Sequence, residues 1–408
     1  SATSSNTGQT FTLTTSTDAL SGTVADDSFN GVLQGAAVTG TTVQPGDVIN
    51  GGDGVDTLTI SVAGAGGADI TISALSTNSI EKFVLSNFDT SAGGSDTIIQ
   101  AGLMTGLTTV GLSSSGAAGD TIFNGLKNMV DAEMRNGSAD LTITYDGSQV
   151  VTGTADVQNV TVSALTGGAF VANGIETVNV TSELSKSSAV SFASNALKTL
   201  SIAGAADLTL GTAVSFAATA NGTAIDGTID ASTFTGKLSL DAGGTTSTVK
   251  VTGGSANDTI AMAGTLTKND VIDGGDGVDT VSITGHNGAT VLKLSTLQMT
   301  NVEEFKVTGA AGAVTSLDTD GGAISTVTLV ENGTTSIDAT VAGLTSGSTV
   351  NIENINGGDA GVVTASLKDA AGTSDVLNFG LKVTSGDGAE AVEQIIATNV
   401  ETINLKSG

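Results

Sequence analysis

Two stretches, one in each half of the chain, decide how it folds: Asp47-Val-Ile-Asn-Gly-Gly-Asp-Gly-Val-Asp-Thr-Leu-Thr-Ile60 and Asp270-Val-Ile-Asp-Gly-Gly-Asp-Gly-Val-Asp-Thr-Val-Ser-Ile283. Each reads as a short strand, a tight glycine turn and a second strand that alternates polar and apolar residues with period two. Each also has a degenerate companion upstream, Gly22-Thr-Val-Ala-Asp-Asp-Ser-Phe29 for the first and Gly253-Gly-Ser-Ala-Asn-Asp-Thr-Ile260 for the second. Downstream of both comes a further motif, Asn78-Ser-Ile-Glu-Lys-Phe-Val-Leu85 and Asn301-Val-Glu-Glu-Phe-Lys-Val307. It returns without the glycine turn at Asn173-Gly-Ile-Glu-Thr-Val-Asn-Val180 and at Asn399-Val-Glu-Thr-Ile-Asn-Leu405, the latter led by Gly372-Thr-Ser-Asp-Val-Leu377.

Short strands between glycine turns predict an all-β fold. The expected form is a parallel β-solenoid or β-roll of stacked strands, because stacking pairs every backbone group without large aromatic rings. The repeats divide the chain into two similar units, 1–220 with glycine turns near 22–60 and 221–408 with glycine turns near 253–283. At most one or two short helices are expected. One lies between Gly125 and Gly137, where Leu126, Met129, Val130, Glu133 and Met134 share a helical face and Arg135 sits on its surface; the other runs from Ala389 to Ile396. Asn-Gly pairs at Asn30, Asn124, Asn136 and Asn221 leave an antiparallel sandwich array as the alternative.

The composition supports the β reading and narrows the function. Among 408 residues, 41 are Asp or Glu and 13 are Lys or Arg, for a formal net charge of −28. So few scattered cations, with aromatics at 3%, build neither the basic stripe nor the stacking platforms that nucleic acid needs. An anionic membrane would repel the chain, and no apolar run of the length of a bilayer span occurs, so no direct membrane insertion is expected. Cysteine is absent, which removes disulfides, thiol catalysis and zinc–thiolate sites. An enzyme is not expected either. His286 is the single histidine, in a turn-like Thr284-Gly-His-Asn-Gly288, and there is no Trp on which a sugar ring would stack.

The chemistry is expected at the glycine turns. Gly51–Thr59 and Gly274–Ser282 match the nonapeptide Gly-Gly-x-Gly-x-Asp-x-U-x, with U large and apolar, at every fixed position, and this is a calcium-binding signature. Glycines such as Gly52, Gly54, Gly275 and Gly277 allow positive φ and turn backbone carbonyls inward, while Asp56 and Asp279 supply carboxylates. Calcium takes roughly six to eight hard oxygens, more than one turn offers, so neighbouring turns must contribute. The candidates are Asp47 and Asp270, one nonapeptide step earlier; Asp53, Asp273 and Asp276 within the repeats; and Asp26, Asp27, Asn257 and Asp258 in the companions. The looser turns at Asp69, Asp140 and Asp207 read as Asx turns that open strands. Asp96, Asp120 and Asp375 stand between the two classes.

The nonapeptides resemble those of the repeat-in-toxin (RTX) proteins exported by type I secretion. The order Phe11-Thr-Leu-Thr-Thr-Ser-Thr-Asp-Ala-Leu-Ser-Gly-Thr23, then Asp26-Asp27, the Gly51 nonapeptide and Ile80-Glu81, is similar to the lattice-forming part of RTX-type surface-layer (S-layer) proteins such as that of Caulobacter. Asp230-Ala-Ser-Thr-Phe-Thr-Gly236 and Gly372-Thr-Ser-Asp-Val-Leu-Asn378 add to the likeness. The resemblance implies a secreted, extracellular protein that folds on meeting calcium and assembles with itself into a two-dimensional lattice on the cell surface. It also implies attachment to cell-surface polysaccharide through a region not found in this sequence. The chain begins without an initiator Met, and we expect it to be a piece of a longer protein. The rival expectation is a calcium-rigidified adhesin or stalk segment.

Overall fold

A computed structural model describes residues 7–34, 39–63, 69–88, 96–147, 150–217, 224–243, 248–286, 290–309, 315–330, 338–355, 361–383 and 392–407. The chain is all-β, a parallel β-solenoid, and forms two compact units, Ser1–Thr212 and Ala213–Gly408. The expected division near residue 220 lies outside the described residues.

In the first unit one face stacks Thr10–Thr12, Ser28–Gln34, Thr57–Ala63, Lys82–Asn87, Thr109–Ser113, Asp131–Arg135, Val157–Ser163, Thr177–Ser182 and Thr199–Gly204 in that order. A second face stacks Ile70–Ile72, Thr97–Gln100, Thr121–Leu126, Leu141–Tyr145, Ala169–Ala172, Ser187–Ala193 and Leu208–Leu210. Near the start of the chain, Ala19–Ser21, Val48–Asn50 and Ser76–Asn78 make a short third face. The second unit stacks Leu238–Asp241, Thr259–Ala261, Thr280–His286, Glu304–Gly309, Thr326–Val330, Thr349–Ile355, Val376–Val383 and Thr402–Ser407 on its longest face. Every strand pairing described within either unit is parallel, which removes the antiparallel sandwich.

Register places like residues over like. In the first unit the inward column runs Phe29, Leu58, Phe83, Val110, Ala132, Val160, Val180 and Ile202, all buried. In the second it runs Ile260, Val281, Phe305, Val327, Val350 and Phe379. Each such side chain contributes about 1.5–3 kcal/mol of burial, so Val, Ile and Leu with an occasional Phe suffice. This is why so few aromatics build so long a core.

Neither expected helix appears among the described residues, and no α-helix occurs among them. The segment after Gly125 is a corner between the strands Thr121–Leu126 and Asp131–Arg135. The apolar spacing there is that of a strand: Val130, Ala132 and Met134 are buried at every second position. A three-turn helix is marginal alone, whereas the strand gains parallel partners on both sides, Thr109–Ser113 and Val157–Ser163. Arg135 therefore lies on a strand, where its Nη2 meets Glu183 Oε1 at 2.7 Å and its Nε meets Glu133 Oε2 at 3.4 Å. Of the segment from Ala389 to Ile396, the described part belongs to the strand Val392–Thr398; residues 389–391 lie outside the described residues. The only helical pieces described are two three-residue 3₁₀ turns, Ala101–Leu103 and Leu294–Thr296.

Candidate metal centre at the glycine turns

An acid stands immediately before many of the stacked strands. Asp27, Asp56 and Glu81 lead Ser28–Gln34, Thr57–Ala63 and Lys82–Asn87, and in the second unit Asp258, Asp279 and Glu303 lead Thr259–Ala261, Thr280–His286 and Glu304–Gly309. At the corner the backbone N–H is accepted by the acid of the following coil in place of a ladder carbonyl. The Asp27 N–H donates to Asp56 Oδ1 at 2.7 Å, and the Asp56 N–H to Glu81 Oε2 at 2.8 Å. The second unit repeats this: Asp258 N–H to Asp279 Oδ1 at 2.7 Å, and Asp279 N–H to Glu303 Oε2 at 2.9 Å.

Glycine is required where these coils close. A Cβ on Gly51 would stand 1.7 Å from the Ser79 carbonyl oxygen and 2.3 Å from Asp56 Oδ2; on Gly274 it would stand 1.9 Å from the Asn301 carbonyl oxygen and 2.7 Å from Asp279 Oδ2. At the turn tips Gly52, Gly54, Gly275 and Gly277 hold φ of 107°, 118°, 96° and 128°.

The predicted ligands fall into three groups. Asp27, Asp47, Asp258 and Asp270 are buried, and both oxygens of each accept a backbone N–H. The donors are Gln9 and Thr23 for Asp27, Asp18 and Gln44 for Asp47, Leu238 and Gly254 for Asp258, and Val249 and Thr267 for Asp270. These four act as caps of the coil. Asp26 and Asn257 are exposed and cap the next turn, accepting the N–H of Val55 at 2.8 Å and of Val278 at 3.1 Å. Asp53 and Asp276 are exposed at the turn tips, and Asp273 Oδ1 accepts from Asn301 Nδ2 at 2.7 Å.

Asp56 and Asp279 form the third group. Both are buried, and their Oδ2 atoms have no hydrogen-bond partner. Burial pushes the Asp56 carboxyl up; the Asp27 N–H opposes this, and the charges of Glu81, Asp27 and Asp26 add to it. Asp279 is pushed up to about 6, by burial first, with Asp258, Glu303 and Asp273 adding, against the Asp258 N–H. A buried carboxylate oxygen without a donor binds either a proton or a cation. The donor set here is all hard oxygen and fits calcium chemically. The described residues contain no cluster of three or more metal-ligating side chains, so backbone oxygens and water would have to complete a coordination shell.

The acids read as Asx turns do stand before strands, but the N–H groups that Asp69 and Asp140 accept come from other coils. Asp69 and Asp140 lead Ile70–Ile72 and Leu141–Tyr145 and accept the N–H of Asp96 at 3.1 Å and of Ala169 at 2.7 Å. Asp207 leads Leu208–Leu210, and its carbonyl accepts the Ser187 N–H. Asp96 and Asp120 join the same stack, their carboxyls raised by burial. His286 ends its strand with Nε2 buried and unpartnered, so no hydroxyl is bonded to that nitrogen; Asn287 and Gly288 lie outside the described residues.

Sequence reading missed Glu81 and Glu303. Their signal was present as the Asn-(x)-Ile/Val-Glu motif, and its meaning is now plain: the Glu accepts the N–H of the acid one coil earlier, as Glu176 does for Asp156 and Glu401 for Asp375, both at 2.9 Å. Compared with known proteins, the chain matches no family model, and no curated protein matches it.

Proposed function

We propose that this chain is a calcium-stabilised structural protein, exported and assembled with copies of itself into a two-dimensional lattice at the cell surface. The observation that carries the calcium part is the pair of buried, donorless oxygens, Asp56 Oδ2 and Asp279 Oδ2, one at each full nonapeptide. Asp56 and Asp279 would hold the ion, with Glu81 and Glu303 fixing their backbones. A bound cation supplies the positive charge that these buried carboxylates lack. Where calcium is scarce, ionising them inside the coil opposes folding; where it is abundant, binding to the folded form alone stabilises that form by mass action. The lattice part rests on the S-layer resemblance and on the repeated stacked coils.

Calorimetric titration of calcium into chelator-treated protein, followed by electron microscopy, tests both parts. Heat of binding, a raised melting temperature and ordered sheets are expected. A melting curve unchanged by excess chelator would end the calcium reading. Monodisperse rods in place of sheets would end the lattice reading in favour of a calcium-rigidified adhesin or stalk.

A further inference from the structure

Among the described residues, only three carboxylate oxygens are buried without a hydrogen-bond partner: Asp56 Oδ2, Asp279 Oδ2 and Asp375 Oδ2. Two belong to the full nonapeptides. The third lies in Gly372-Thr-Ser-Asp375, which has neither the paired glycines nor the spacing of the repeat. Its surroundings nevertheless share three features with the other two. Asp375 is 9% exposed and leads the strand Val376–Val383. Its N–H donates to Glu401 Oε2 at 2.9 Å, as Asp56 does to Glu81 and Asp279 to Glu303. A glycine stands against the carboxylate here too: a Cβ on Gly372 would lie 2.5 Å from Asp375 Oδ2 and 2.7 Å from Oδ1. Gly372, Thr373 and Ser374 are exposed, so the turn is open to solvent.

We infer that the Gly372–Asp375 turn, closed by Glu401 from the following coil, is a third divalent-cation site of the calcium class. It deepens the calcium reading above and rests on it. Asp375 Oδ2 is the inward ligand, and backbone oxygens and water from the open side complete the shell. The defining features are the donorless oxygen, the Glu one coil later and the missing β-carbon, so the glycine-rich spelling is one way of writing the site and not its essence. Asp156 supplies the contrast. Its N–H also donates to a following Glu, Glu176, but its Oδ2 accepts the Gly153 N–H at 3.2 Å, and it lacks the buried, donorless oxygen that marks the other three.

The test is isothermal titration of calcium into the full chain, chelator-treated, with circular dichroism confirming the fold of each variant. Asp375→Asn is expected to remove one binding equivalent relative to wild type while leaving Asp56 and Asp279 competent, and Asp156→Asn to remove none. Glu401→Gln, milder, should keep the stoichiometry and weaken one class of site about tenfold. If Asp375→Asn is unfolded, Glu401→Gln decides alone. Wild-type stoichiometry and affinity in both variants would overturn the third site while the calcium reading stands. Absence of calcium binding in wild type would overturn both together.

Discussion

The first and second glycine turns share nearly the same fourteen residues yet differ electrostatically. In the first, Asp27 has its carboxyl held below the ordinary value by the N–H groups of Gln9 and Thr23, and Asp56 above it is raised. In the second, burial raises Asp258 despite the N–H groups of Gly254 and Leu238, and Asp279 rises further, to about 6. The turn sequence therefore sets the backbone geometry, while the coils above and below set how hard the carboxylates are to ionise. The second turn holds the more reluctant charge and has more to gain from a cation.

The largest expected effect ignores that difference. Gly51→Val and Gly274→Val each force a β-carbon into a backbone carbonyl, and each should cost about 3 kcal/mol, read from the urea midpoint. Because the clash with the carbonyl is steric, this loss should appear in chelator, and calcium should enlarge it, since the same β-carbon meets Asp56 Oδ2 or Asp279 Oδ2; a loss confined to calcium would mean that the glycines serve the ion and not the coil.

Next comes the removal of charge. In chelator at pH 7, Asp279→Asn should stabilise by about 1 kcal/mol, since it keeps an oxygen for the Asp258 N–H and deletes a charge that burial disfavours. Asp56→Asn should do the same to a smaller extent. In calcium both should destabilise, and a variant that behaves alike in the two media would separate its carboxylate from the ion.

The pH dependence sharpens the contrast. The folded value of Asp279, about 6, exceeds the ordinary carboxyl value of about 3.9, so the folded state holds the proton more tightly. Its contribution to stability is complete below about pH 4 and is lost as pH climbs through about 6. Without calcium, melting temperature should therefore rise as pH falls from 7 to 5, and Asp279→Asn should flatten that slope more than Asp56→Asn.

The smallest effect is one of sign. Asp27, with its carboxyl lowered, stabilises when ionised, so Asp27→Asn should lower the melting temperature at pH 7. Asp258, with its carboxyl raised, should tolerate or gain from the same change. Equal losses would mean that capping geometry alone matters at both positions.

What was legible in the sequence was local. The turn glycines, the Asp before many of the strands and the period-two apolar positions all lie within one coil, and they pointed to the fold and to acids around which it closes. The role of Glu81 was not legible, because its partner Asp56 stands 25 residues away in sequence and one coil away in space. The misread helix failed for the same reason: Leu126, Val130 and Met134 fit a helical face on their own, and the parallel neighbours that make them strand residues lie outside the window. The buried acids of the glycine turns and their companions were all taken as ligands, since nothing in the chain distinguishes a carboxylate saturated by N–H groups, such as Asp47, from one with an oxygen to spare, such as Asp56.

The direction of the cap has a consequence in time. At the glycine turns the donor is the earlier residue and the acceptor the later one, Asp56 waiting on Glu81 and Asp279 on Glu303. A polypeptide entering its folding compartment N-terminus first cannot finish a turn until the next coil has followed it. One entering C-terminus first finds the acceptor already in place. The same molecule thus carries an arrow, and the end that arrives first sets whether each turn closes at once or lags by one coil.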